Sequence, residues 1–284
     1  MTSLPKSLIL VGAGKMGGAM LEGWLALGLD PRGVVVIDPH ASPALTALCE
    51  KHGARLNPPA AGLVAPEVLV LAIKPQMLEA AAPGIAPLVG PATLVVSIMA
   101  GKTIANIADR LPARAIARAM PNTPAAVGRG ITGVAASAGV SADQRAMADA
   151  LLGAIGRVEW VAREELIDAV TAVSGSGPAY VFLLVECMAA AGVAAGLPED
   201  IAMRLARATV EGSGELLYRD AATSAAQLRV NVTSPGGTTA AALDVLMAPD
   251  GLQPLMTRAI AARANSPADP SPCWRHGRGL VCYR

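Results

Sequence analysis

Five short runs of Val, Leu, Ile and Ala recur through the first 120 residues, each separated from the next by a stretch with helical spacing. They are SLILVG (7–12), GVVVID (33–38), EVLVLAI (67–73), ATLVVSI (92–98) and RAIARAM (114–120), with helices expected over 16–27, 43–52, 76–88 and 103–110. Apolar runs this short and continuous suit strands covered on both faces, and strands alternating with helices build βαβ units around a parallel sheet. A further strand, GITGVAA (130–136), and a helix over about 142–155 complete this half. From 164 onward strand signals almost vanish, and helices are expected over about 164–173, 178–196, 198–218, 224–230, 236–247 and 250–263.

The composition agrees with such packing. Hydrophobic residues make up 53% of the 284-residue chain but aromatics only 2%, so small aliphatic side chains must build the core. A net charge of +1 gives no electrostatic reason to expect nucleic acid or an anionic membrane as partner. The most membrane-like run, AYVFLLVECMAAAGVAAGL (179–197), is interrupted by Glu186 and reads as a buried helix at a subunit interface rather than a span. The first apolar run leads into glycines rather than a cleavage site, and the protein is expected to be cytoplasmic. Of four cysteines, Cys49 and Cys187 fall on helical patterns and read as core thiols. Cys273, His276 and Cys282 match no zinc spacing, and no metal is expected. The segment 264–284 turns rich in Pro and Arg and is expected to lack packed structure, the kind of change that a shifted reading frame would produce.

The first βα turn holds the strongest local signal. VGAGKMG places Gly12, Gly14 and Gly17 in G-x-G-x-x-G form after an apolar strand and before a helix, and Asp38 ends the next strand. Gly12 allows the tight turn, Gly14 lets the backbone approach a pyrophosphate, and Gly17 lets the helix pack on the strand. The segment Gly12-Ala13-Gly14-Lys15-Met16-Gly17 is therefore expected to bind a nicotinamide dinucleotide. Asp38 is placed for a ribose 2′-hydroxyl, which favours NADH over NADPH. The fold class that follows is α/β: a Rossmann-type parallel-sheet domain (1–160), an all-α domain (161–263) and an atypical tail (264–284), with the boundary within 157–163.

The second domain is notable for what it lacks. All five lysines lie at 6, 15, 51, 74 and 102, and the histidines at 40, 52 and 276, so the helical domain has neither before the tail. Carbonyl reduction usually needs such a general acid, whereas a protonated imine accepts hydride directly. Lys74 in AIKPQ and Lys102 in AGKT keep open a β-hydroxyacid-type dehydrogenase, and a non-catalytic dinucleotide-binding protein is a third reading. Two hydroxyl-rich and glycine-rich stretches, SGSGP (174–178) and TSPGGTT (233–239), each show a Ser followed by a Pro at a helix start. Either is a simple cap or, with its free N–H groups, an anion site. Asn122, held between Pro121 and Pro124 at a strand's C-terminal end, is either a ligand contact or part of a rigid turn.

VGAGKMG, LAIKPQ, SIMAGKT, RAMPNTPAAVGRGIT, AVSGSGPAYVFLLVE and VTSPGGTTAAAL occur in the order found in pyrroline-5-carboxylate reductase, which the chain resembles from about 7 to 260. That resemblance implies reduction of the cyclic imine 1-pyrroline-5-carboxylate to L-proline by NADPH or NADH, the last step of proline synthesis. It also implies a homodimer, or a larger assembly of dimers, with the site at the subunit interface. It places Ser234, Gly236, Gly237 and Thr238 on the substrate carboxylate, and Thr239 beside the imine nitrogen. Ser176 and Gly177 would lie beside the substrate, and Ala72, Ile73, Lys74, Pro75 and Asn122 would contact the cofactor.

Overall fold

The computed structural model describes residues 4–264, 273–276 and 279–282. The chain forms two compact units that divide at Gly175–Ser176.

The first unit is built on eight strands: β1 (Leu8–Val11), β2 (Val34–Ile37), β3 (Arg55–Leu56), β4 (Val68–Leu71), β5 (Leu94–Ser97), β6 (Ala115–Met120), β7 (Gly130–Ala136) and β8 (Gly156–Trp160). Their order is β3-β2-β1-β4-β5-β6-β7-β8. Alternation along β1 shows why these runs are wholly apolar. Leu8 and Leu10 join Met20 and Trp24 in one core, while Ile9 and Val11 join Leu78 and Ile85 in the other. The chain leaves β1 toward β2 and β3 and returns to its other side as β4, so the crevice beyond β1 and β4 is the switch point where open α/β sheets bind ligands.

The helices of this unit are α1 (Lys15–Ala26), α2 (Pro43–His52), α3 (Leu78–Ile85), α4 (Ile104–Ala108), α5 (Ala142–Gly153) and α6 (Leu166–Val170). The limits of α2 coincide with those read from sequence, because Ser42 Oγ caps it by accepting the Leu45 N–H and Gly53 closes it in the left-handed region.

Parts of this unit depart from the sequence expectation. The strand β7 runs antiparallel to β6, because the nine residues 121–129 between them are too few for a parallel crossover. The stretch 157–163, expected as the boundary, largely continues the sheet as β8, parallel to β7. Charged Arg157 and Glu159 on this edge strand hid it from an apolar pattern. The first unit then continues through α6 and a π-helical turn, Thr171–Gly175.

The second unit holds α7 (Gly177–Ala194), α8 (Glu199–Arg219), α9 (Ala225–Asn231), α10 (Thr238–Leu246) and α11 (Leu252–Ala264). The helices α7 and α8 pack closely where a Cβ on Gly192 would lie 3.2 Å from that of Ala202. Within the single chain α7 buries Ala189 but exposes Val181, Phe182 and Leu183, as a helix expected at a subunit interface would, whereas Cys187 is exposed rather than a core thiol. A helix apolar all round cannot hide its surface against one neighbour. The helical run Leu166–Ala194 is long and apolar enough to cross a membrane by length and composition, although the π turn and a bend at Ser176 interrupt it.

In the final segment, expected to lack regular structure, β9 (Cys273–His276) and β10 (Gly279–Cys282) pair antiparallel. Strand-forming Trp274 and Val281 stand on either side of a Gly-Arg connection, a pattern that two short runs can satisfy locally. The side chains of Cys273, His276 and Cys282, considered above as metal ligands, lie outside the described residues.

Candidate active site

The glycine turn is held against the end of β4. Gly12 has φ +84°, and a Cβ there would lie 2.9 Å from the carbonyl carbon and oxygen of Ala72 and from Ile73 Cγ2. A Cβ on Gly17 would lie 2.5 Å from the Gly12 carbonyl oxygen. The turn thus brings Gly12, Gly17, Ala72 and Ile73 together, and no larger residue fits at either glycine. Gly14 differs: its missing side chain faces open space, with nothing within 4 Å. It is also the N-cap of α1, and among the described residues no side-chain cap engages the N–H groups of the first helical turn. A cavity of about 550 Å3 opens here, lined by Gly14, Lys15, Asp38, His40, Ser42 and Ala126 among others. A backbone cradle with free N–H groups and a positive helix end fits a pyrophosphate.

Asp38 stands at the end of β2, with its backbone and its carboxylate both engaged by protein. Its Oδ2 accepts the Ala13 N–H at 2.8 Å and its Oδ1 accepts the His40 N–H at 2.9 Å. Asn57, with φ +47°, donates from Nδ2 to the Asp38 carbonyl at 2.7 Å and accepts the Asp38 N–H at 2.8 Å. A carboxylate accepts about four hydrogen bonds, so roughly two positions remain for ribose hydroxyls. Asn57 carried no sequence signal, since its partner is 19 residues away.

The two lysines considered as acid or base are placed differently from each other. Lys74 is exposed and precedes a 3-10 turn at Pro75–Met77. Lys102 assists Arg110 in holding the Glu79 carboxyl below the usual carboxylate range, Arg110 through a hydrogen bond and Lys102 through its charge.

Asn122 is 9% exposed, and both ends of its amide are engaged by protein: Oδ1 accepts the Ile131 N–H at 3.0 Å and Nδ2 donates to the Ser174 carbonyl at 3.2 Å. Sequence reading also missed Arg118 and Glu164. The Arg118 side chain is 8% exposed and donates to Glu164 Oε1 at 2.9 Å. The same oxygen accepts the Ile104 N–H at 2.7 Å.

In the second unit, Ser176 and Gly177 open α7 as expected, although the Ser176 side chain makes no capping bond. The other hydroxyl stretch is built differently from the Ser-Pro cap expected of it. Gly237, not Ser234, is the N-cap of α10, and Thr238 and Thr239 are its first two residues. Ahead of it the Gly237 N–H donates to the Ser234 carbonyl at 3.0 Å. This closes a turn with Pro235 in second place and Gly236, φ +66°, in third. A glycine cap leaves the first-turn N–H groups without a side-chain acceptor, and Ser234, Thr238 and Thr239 are exposed around them.

Residues 7–101 match the family model described as NADP oxidoreductase coenzyme F420-dependent, and residues 164–268 match pyrroline-5-carboxylate reductase dimerisation. The pyrroline-5-carboxylate reductase of Synechocystis is 44% identical over 243 residues, covering 84% of this chain and 88% of that one. The chain belongs to the pyrroline-5-carboxylate reductase family. The reductase of Pseudomonas aeruginosa is 37% identical, covering 92% of this chain and 96% of its own. Among solved structures, a pyrroline-5-carboxylate reductase from Coxiella burnetii superposes with a TM-score of 0.84 at 34% identity, covering 93% of this chain and 97% of that one. The Plasmodium falciparum pyrroline carboxylate reductase, solved with NADP bound, gives 0.72 at 26% identity and covers 91% and 95%. The dimerisation match falls on the helices whose apolar surfaces are exposed in the single chain, and the protein is a homo-oligomer.

Proposed function

We propose that the protein reduces 1-pyrroline-5-carboxylate to L-proline with NADH or NADPH, as the last step of proline biosynthesis. The observation that carries this reading is the start of α10: free N–H groups and three exposed hydroxyls, with no acid or base among residues 231–241. Such a site holds an anion and orients a ring, which is what an iminium requires.

The residues divide by task. The open backbone at Gly14, the N-terminus of α1 and Asp38 hold the dinucleotide, with Lys15, Met16, Ile73, Lys74 and Pro75 around it. When bound, the reduced nicotinamide supplies the hydride. The first-turn N–H groups of α10, with Ser234, Gly236, Gly237 and Thr238, hold the substrate carboxylate. The Thr239 hydroxyl accepts the N–H of the iminium and keeps the nitrogen oriented as it becomes an amine. Ser176 and Gly177 border the ring. The proton on nitrogen arrives with the substrate, so no side chain has to donate one. Asp38 sets the preference toward NADH, because a 2′-phosphate would meet its carboxylate.

The active assembly is a homodimer, or a larger oligomer built from dimers, working in the cytoplasm on a small cyclic imino acid, without nucleic acid or membrane. The dehydrogenase alternative has less support, since the similar curated proteins are pyrroline-5-carboxylate reductases. Oxidation of NADH and of NADPH, followed with pyrroline-5-carboxylate and beside it a panel of β-hydroxyacids, tests the reading. Turnover of the imine alone is expected; turnover of a hydroxyacid instead would replace it.

A further inference from the structure

The resemblance sets Asn122 among the cofactor contacts, yet one N–H and the oxygen of its amide are already engaged inside the protein. The two bonds fix its orientation: exchanging oxygen and nitrogen would set N–H against N–H at Ile131 and oxygen against oxygen at Ser174. The bond to Ser174 reaches the π turn Thr171–Gly175, where the wider winding disturbs the ordinary pairing of carbonyls. Ser176 and Gly177 stand two and three residues beyond Ser174 along the chain.

Other features seat the same segment on the sheet. A Cβ on Gly133 of β7 would lie 2.5 Å from Val170 Cγ1, so α6 rests where a side chain is missing. A Cβ on Gly175 would lie 3.0 Å from Met120 Cε at the end of β6. At the other end, the buried Arg118 holds Glu164, which in turn accepts the N–H of Ile104 at the start of α4. The segment from Glu164 to Gly175 is thus tied at both ends, and Asn122 is the polar tie nearest to Ser176.

We infer that Asn122 is a positioning residue: it fixes the Ser174 carbonyl, and through it the Ser176–Gly177 turn, without touching cofactor or substrate. This rests on the imine-reductase reading for the role of Ser176 and Gly177, but the clamp itself does not depend on it. Asn122→Asp retains an acceptor for the Ile131 N–H and sets a carboxylate oxygen against the Ser174 carbonyl. Asn122→Ala removes both bonds without adding charge.

The experiment compares the full-length wild type with both variants. It measures NADH dissociation by fluorescence without substrate, kcat and KM for pyrroline-5-carboxylate, and hydrogen exchange across 171–177. A displaced substrate contact costs on the order of 100-fold in rate. The expected result is a kcat lowered ~10- to 100-fold with a raised imine KM and faster exchange in 171–177. NADH dissociation should stay within about 2-fold, because the glycine turn is untouched. NADH affinity falling in step with kcat would make Asn122 a cofactor contact and overturn the inference. So would a lowered melting temperature with kcat unchanged. If Asn122→Asp fails to fold, Asn122→Ala decides on the same readings. A wild type inactive on the imine would sink the proposed function alone, since exchange and NADH binding still judge the clamp.

Discussion

The two units bury their apolar residues very differently. The sheet unit places Trp24, Leu8, Leu10, Leu69 and Leu71 out of contact with solvent, in cores on both faces of its strands. Among the described residues of the helical unit the buried hydrophobics are Ala189, Ala202 and Ala206, while Phe182 is 64% and Val245 71% exposed. Fully burying one large apolar side chain contributes about 1.5–3 kcal/mol, and the sheet unit collects that many times over within one chain. The helical unit has comparable material but little of it covered, so most of its hydrophobic stabilisation is available only between chains. Folding of this half and assembly are therefore linked, and its stability depends on protein concentration.

The largest expected effect tests that linkage. Phe182 is the only phenylalanine of the chain, and Phe182→Asp would place an unpaired carboxylate in the apolar surface of α7. A buried unpaired charge costs on the order of 3 kcal/mol, a weakening of association by about 100-fold. Light scattering after size exclusion should show smaller species with lost activity, whereas an unchanged oligomer would break the comparison. Next, Thr239→Val should lower kcat by ~10- to 100-fold with NADH affinity preserved, separating the helical unit's contribution from that of the sheet. Equal losses in both would argue against a place at the imine nitrogen.

Gly17→Ala is the converse change. Its Cβ would press on the Gly12 carbonyl, at a cost of about 1–3 kcal/mol. Calorimetry should show a destabilised protein and titration a weaker NADH complex, with the oligomer intact. The smallest effect is expected from Asp38→Ser, which should move the ratio of kcat/KM toward NADPH by about 10-fold. An unchanged ratio would remove Asp38 from cofactor choice.

Local constraints were legible in the sequence, and distant ones were not. The central strands and the ends of α2 follow from short apolar runs and from Ser42, Pro43 and Gly53, each acting within a few residues. The glycine turn was readable for the same reason. In contrast, β8 carries the charges of an edge, and its pairing with β7 is a matter of register across 26 residues. The apolar run of α7 was legible, but composition does not say which of its residues lie against the same chain, so Cys187 is exposed there rather than a core thiol. At Ser234 a hydroxyl before Pro imitates a cap, but left-handed Gly236 delays the helix to Thr238. Asn122 could be placed at a strand end, yet its partners lie 9 and 52 residues away and leave no mark on spacing.

The Asn57 clamp has a consequence for solubility. The outermost strand on that side, β3, has only two residues, and beyond it the backbone of β2 would present unpaired groups. Asn57 occupies both backbone groups of Asp38 with its amide, adding a rung where the strand has run out. An extended segment from another molecule finds no free donor and acceptor at that residue from which to lengthen the sheet. Pairing past the two residues of β3 is thereby blocked at Asp38.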